Sequence, residues 1–154
     1  MVMSRAVVTE VNLPSLEQSL KHFFGYESFR TGQRQIIEQA LQRQDQLIIM
    51  PTGGGKSLCF QLPALLMPGV MIVVSPLIAL MQDQVDALLD NGISATFLNS
   101  TLTADVNRQR EIAIMRGEIK LLYVAPERLL LEYFLEFLET VNLKIGISTF
   151  AVDE

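Results

Sequence analysis

The sequence is short of the residues that define several protein classes. It holds one cysteine, Cys59, and one histidine, His22. A lone cysteine forms no internal disulfide, and neither residue by itself builds a zinc site. Tryptophan is absent, and charged residues make up only 19% of 154 positions against 49% hydrophobic ones, which excludes intrinsic disorder. Positive charge is scarce: 12 Lys+Arg against 17 Asp+Glu give a formal charge of −5. The basic footprint of a phosphate-binding surface is therefore missing, and any nucleic-acid partner has to be argued from something other than charge. No apolar run approaches the roughly 18 to 20 residues of a membrane span. Met1 to Glu10 offers one arginine and a short Ala-Val-Val patch, too little for a signal peptide. Repeats, linkers and low-complexity tracts are also lacking. The expectation is a soluble, cytosolic chain of one domain.

What is present is punctuation. Ser15-Leu16-Glu17-Gln18 fits a capping box after Pro14, and Leu16, Leu20, Phe23 and Phe24 then share one helical face. A second helix carries Ile36, Ile37, Ala40 and Leu41 inward. Beyond it, apolar runs alternate with helical patterns. Strands are expected at Leu47–Met50, Val70–Val74, Ala95–Leu98, Lys120–Val124 and Ile145–Val152. Helices are expected at Ser57–Leu66 (kinked or shortened by Pro63), Leu77–Asn91, Thr103–Arg116 and, with breaks, Pro126 to about Thr140. Gly92 and Gly117 stop two of them. Fully apolar strands, each followed by a helix, call for a mainly parallel sheet covered on both faces, an α/β three-layer sandwich.

Between the first apolar run and its helix stands Met50-Pro51-Thr52-Gly53-Gly54-Gly55-Lys56-Ser57. Successive glycines let backbone N–H groups converge on a phosphate at the positive end of a helix. In such loops the lysine, here Lys56, reaches the β- and γ-phosphates, and the hydroxyl, here Ser57, ligates magnesium. The strict pattern opens with glycine, where this chain has Met50. Gly-Gly-Gly-Lys-Ser arises by chance in about one chain of this size in several thousand. The last strand ends in Asp153-Glu154. Parallel strands deliver their carboxyl ends to one edge, so Asp153 is placed to hold magnesium and Glu154 to orient or deprotonate an attacking water. His22 is expected at the surface or in packing, Cys59 as a small buried hydrophobe, and the methionines as gap fillers.

These residues together resemble the amino-terminal part of a RecQ-type, superfamily-two (DEAH-type) DNA helicase, from Phe23 to Glu154. Phe24 to Gln33 is similar to that family's adenine-recognition segment. The resemblance implies that Tyr26 and Arg30 stack on the adenine and that Gln33 hydrogen-bonds its edge; Thr31 replaces the usual proline, and Phe29 is expected in the core. The loop from Met50 to Ser57 matches the family's phosphate loop, its methionine included. Val74 to Val85 with Ser75-Pro76, Asn99-Ser100-Thr101, and Tyr123 to Leu129 with Pro126-Glu127-Arg128 resemble motifs that contact the DNA backbone. Hydroxyls, amides and helix N-termini can do so without strong positive charge.

The resemblance implies ATP and Mg2+ as ligands, DNA as a single strand or partial duplex as partner, and a cytoplasmic place, at the nucleoid if bacterial. It divides the chain into a helical extension, residues 1–22, and a first RecA-like motor domain, residues 23–154, cut after the Asp-Glu pair. The family's Ala and His after that pair, its second RecA-like domain with arginine fingers, and its zinc-binding and winged-helix regions are expected beyond this chain. On that reading the chain alone binds nucleotide without useful turnover, and its last strand leaves Ile147 and Val152 thinly covered. A bare nucleotide-binding module and a phosphate-loop small-molecule kinase are the alternatives; the kinase would need an arginine-rich lid, and none is evident.

Overall fold

The structure, a computed structural model, describes residues 15–153. Three helices come first: α1 (Leu16–Phe24), α2 (Gln33–Leu41) and α3 (Lys56–Leu66). Then follow β1 (Val70–Val74), α4 (Ile78–Asp90), β2 (Ala95–Leu98), α5 (Ala104–Met115) and β3 (Leu121–Val124). A 3-10 turn (Pro126–Leu130), α6 (Glu132–Lys144) and β4 (Ile147–Val152) complete the order. The strands form one parallel sheet in the order β2-β3-β1-β4.

Parallel neighbours cannot be joined by a hairpin, so each connection carries a helix, and right-handed crossovers decide which face the helix covers. The step from β1 to β2 runs one way across the sheet, while β2 to β3 and β3 to β4 run the other way. Helix α4 therefore lies on one face, and α5 and α6 lie on the opposite one. Side-chain alternation matches. Met71, Val73, Leu121 and Tyr123 pack with Met81, Val85 and Leu88 of α4 and with Ala64 of α3. Val70, Ile72, Val74 and Leu122 pack with Ile114 of α5 and with Phe134, Leu138 and Val141 of α6. A smaller cluster, Leu20, Ile37, Leu58 and Leu62, joins α1 and α2 to α3. This is the expected α/β sandwich.

Local signals explain the helix ends. The Ser15 hydroxyl accepts from the Gln18 N–H while the Gln18 side chain accepts from the Ser15 N–H, so the capping box is formed. Thr103 caps α5 through the Val106 N–H. Helix α3 runs through Pro63 to Leu66, and the proline, lacking an N–H, leaves the Cys59 carbonyl without its helical donor. At the amino end of the sheet Gly69 (φ 89°) abuts Gly146, and a Cβ on Gly69 would run into the Gly146 carbonyl. Lys120 pins the same corner by donating to the carbonyls of Met67 at 2.7 Å and Gly69 at 3.4 Å, and burial lowers its pKa.

The structure corrects the sequence reading at three places. Leu47–Met50 is not a strand: it is unpaired, and Leu47 and Ile49 are 90% and 89% exposed. Gln46 anchors this stretch by donating to the Ile36 carbonyl at 3.0 Å. A cleft of about 490 Å³, lined by residues 43–48, by 148–152 of β4 and by Asp153, lies where a ladder would otherwise form. The expected helix from Pro126 becomes a 3-10 turn followed by α6. The last strand starts at Ile147 and carries a bulge, since Val70 pairs with Ile147 and Met71 with Thr149. On that edge strand Val152 is 80% exposed as expected, but Ile147 is half-buried and Phe150 takes its place at 54%.

Candidate functional site

Because the sheet is parallel, every strand brings the segment after it to one edge. The sheet order places these segments in a row: Asn99–Thr101 after β2, Pro126–Arg128 after β3, Ser75–Pro76 after β1, and Asp153 after β4. With strands about 4.8 Å apart, the row is roughly 15 Å long. Backbone bonds hold it together: the Ser75 N–H donates to the Val124 carbonyl at 3.0 Å, and the Asp153 N–H to the Val74 carbonyl at 2.9 Å.

The glycine-rich loop leads into α3. The Gly54 N–H closes a turn on the Pro51 carbonyl at 2.9 Å, and Gly55 takes the N-cap position of α3 with φ 79°. No side chain caps this helix, so its first N–H groups and the positive end of its dipole are available to an anion. Thr52 and Gly53 are exposed, and Gly54, Gly55, Lys56 and Ser57 are half-buried. Lys56 and Asp153 line the same cleft, together with Cys59, Phe60 and residues 148–152 of β4. Glu154 lies outside the described residues, as do residues 1–14 with Pro14 and most of the proposed extension.

The segment from Tyr26 to Gln33 is stitched to this loop. Arg30 donates through Nη1 to the Gly53 carbonyl. Gln33 donates through Nε2 to the Gly55 carbonyl at 3.1 Å, while its Oε1 accepts from the Arg30 N–H at 2.8 Å. Gln33 is only 3% exposed, so both ends of its amide are engaged by backbone; Tyr26 and Arg30 are exposed. Phe29 packs into the cluster between α1 and α3, as expected.

Two polar pairs that join separate elements were not legible in the sequence. Gln61 of α3 donates to the Tyr123 hydroxyl on β3 at 3.1 Å, and Gln84 of α4 donates to Asp153 Oδ2 at 3.3 Å. Burial is the main reason the Tyr123 pKa lies well above the ordinary phenol value; the Asp153 charge pushes the same way, and the Gln61 bond opposes both. Oε1 of Gln84 is buried without a partner among the described residues. The helical pattern at Gln61, and the family motif from Val74 to Val85 that holds Gln84, say nothing of what lies across the sheet.

Magnesium suits the donors present. A serine hydroxyl and a carboxylate are hard oxygens, and magnesium is usually held by one or two carboxylates plus substrate phosphates. Among the described residues no group of three or more His, Cys, Asp and Glu could hold a metal alone.

The proposed DNA-facing residues divide by exposure. Pro76, Ser100, Thr101 and Glu127 are exposed. Pro126 and Arg128 are half-buried, the Arg128 guanidinium lying 5.2 Å from the Phe134 ring centroid. Ser75 and Asn99 are buried; Asn99 Oδ1 accepts from both the N–H and the hydroxyl of Thr101 and so shapes its turn. Away from the edge, Cys59 is buried and its thiol pKa is pushed up by burial. His22 is exposed, its ring edge-on to Phe23.

A parallel sheet wrapped by helices, with a glycine-rich loop at one helix N-terminus and an acid at the end of a strand lining the same cleft, defines the class: an α/β domain of RecA-like design. The profile of the DEAD/DEAH box helicases matches residues 30–154, and the chain belongs to that family. It is 48% identical over 128 residues to the ATP-dependent DNA helicase RecQ of Haemophilus influenzae, covering 83% of this chain and 21% of that protein. Identity to the ATP-dependent DNA helicase RecQ of Bacillus subtilis is 46% over 136 residues, 88% of this chain and 22% of that protein. For the ATP-dependent DNA helicase Q-like 5 of Arabidopsis thaliana it is 40% over 149 residues, 97% and 16%. The RecQ-type resemblance carried by the motifs is borne out. The chain spans about a fifth of the length of the bacterial relatives. No helix among the described residues is long and apolar enough to cross a membrane.

Proposed function

We propose that the chain serves as the first motor domain of a RecQ-type ATP-dependent DNA helicase, with residues 1–22 as an extension and 23–154 as the motor domain. The observation that carries this reading is that Lys56 and Asp153, far apart in sequence, line one cleft at the end of a row of strand-end loops. The loop N–H groups from Thr52 to Ser57 cradle the phosphates of ATP, and Lys56 neutralises the β- and γ-phosphates. Ser57 and Asp153 would hold Mg2+, which when bound supplies positive charge against the phosphate oxygens. Glu154 orients the attacking water. Tyr26 and Arg30 stack on the adenine, and Gln33 reads its edge by exchanging one of its backbone partners for the base.

DNA, as a single strand or partial duplex, lies along the row. Ser100, Thr101, Pro76 and Glu127 meet it directly, with Pro126 and Arg128 beside them, while Ser75 and Asn99 fix the turns. A second RecA-like domain of the same protein brings arginine fingers, worth about 10³ to 10⁵ in rate in related ATPases and GTPases. The chain alone therefore binds ATP with little turnover, and the protein works wherever its DNA lies. In the protein that carries this chain, Lys56→Ala should abolish DNA-dependent ATP hydrolysis and strand separation while DNA binding stays measurable. Undiminished hydrolysis in that variant contradicts the reading.

A further inference from the structure

We propose that Gln84 is a positioning residue for Asp153, tying α4, and the Ser75–Pro76 loop that leads into α4, to the magnesium end of the nucleotide site. The inference rests on the nucleotide reading above and adds a residue to it.

Three observations converge. Gln84 lies one turn beyond Met81 and one turn before Leu88, both buried in the core, so it borders the apolar stripe of α4. A leucine would suit that half-buried position by packing alone, and shielding an amide there from water is costly unless it is paired. Its Nε2 reaches Asp153 Oδ2 at 3.3 Å, the hydrogen bond that orients this carboxylate among the described residues; the Asp153 N–H is spent on the Val74 carbonyl. Its Oε1 is buried and finds no donor among the described residues, so Asp153 is the side-chain partner that fixes the amide there. Gln61 of the phosphate-loop helix and Tyr123 of β3 form a separate hydrogen-bonded pair across the sheet.

A change in the set of α4 then alters the carboxylate, and occupation of the metal position restrains α4. Linkage requires the coupling to run both ways. The test measures ATP affinity of this chain with Mg2+ and with a chelator, for the wild type, Gln84→Leu and Gln84→Met; the methionine keeps the length and helix preference if leucine disturbs folding. Both variants should weaken MgATP by about 3- to 10-fold, the span of one lost hydrogen bond, and leave metal-free ATP within about 2-fold. Backbone hydrogen exchange supplies a second readout: MgATP should protect residues 78–90 in the wild type and not in the variants. Equal losses with and without Mg2+, or protection that persists in the variants, overturn the positioning role. A wild-type chain that binds ATP but gains nothing from Mg2+ overturns the inference, and one that binds no ATP at all overturns the nucleotide reading with it.

Discussion

Two apolar runs of similar composition, Leu47–Met50 and Val70–Val74, meet opposite fates. Val70–Val74 has β3 on one side and β4 on the other, and all five residues are buried. Leu47 and Ile49 are almost fully exposed, although the free edge of β4 stands across the cleft. The difference teaches that composition sets a preference for the extended state, while pairing decides burial. A backbone can enter the core only when its N–H and C=O groups find partners. β1 has ladders on both sides; the earlier run has none.

The largest expected contrast is therefore energetic. Ile72→Ala removes a fully buried side chain between the sheet and the α5–α6 layer and should cost about 2 to 5 kcal/mol. Ile49→Ala should stay within about 0.5 kcal/mol, as exposed substitutions do. Urea unfolding of both variants checks this, and comparable losses would break the comparison by showing that Leu47–Met50 is buried in solution.

A smaller effect sharpens the comparison inside the sheet. Tyr123→Phe deletes the acceptor of Gln61 and should cost about 1 kcal/mol at neutral pH. The native pKa of Tyr123 lies above the ordinary value of 10.0, so the native state keeps a proton that the unfolded chain releases first. The resulting stability is fully present below pH 10 and falls as the pH rises above it. Alkaline unfolding monitored in the wild type and in Tyr123→Phe should show a shallower decline in the variant. Parallel declines would place the phenol in contact with water.

Much of the fold was written locally, in particular residues. The capping box at Ser15, the cap at Thr103, the stops at Gly92 and Gly117, and the apolar runs of β1 to β4 each depend on neighbours within a turn or two. What stayed hidden depends on residues far apart in the chain. Sheet order has no local signature, so nothing in the sequence reveals that Val70–Val74 takes an inner position while Leu47–Met50 stays outside. Gln61 and Tyr123, or Gln84 and Asp153, meet across more than 60 positions. At the site, Lys56 and Ser57 were legible because a phosphate loop needs a fixed spacing, and Asp153 because an acid ends an apolar strand. That Gln33 would be drawn into the loop by Arg30 and Gly55 was not, since an amide bonds equally well to backbone or base.

The most direct measurement asks whether the loop and the distant carboxylate form one nucleotide site. ATP affinity is titrated with and without Mg2+ for the wild type and for Asp153→Asn, which keeps the shape and removes the charge. Mg2+ should strengthen ATP binding by the wild type at least about 10-fold, the scale of a charge-assisted contact, and the gain should vanish in Asp153→Asn while metal-free affinity is preserved. A full Mg2+ gain in Asp153→Asn would contradict a shared site, leaving the loop to bind phosphate without this strand.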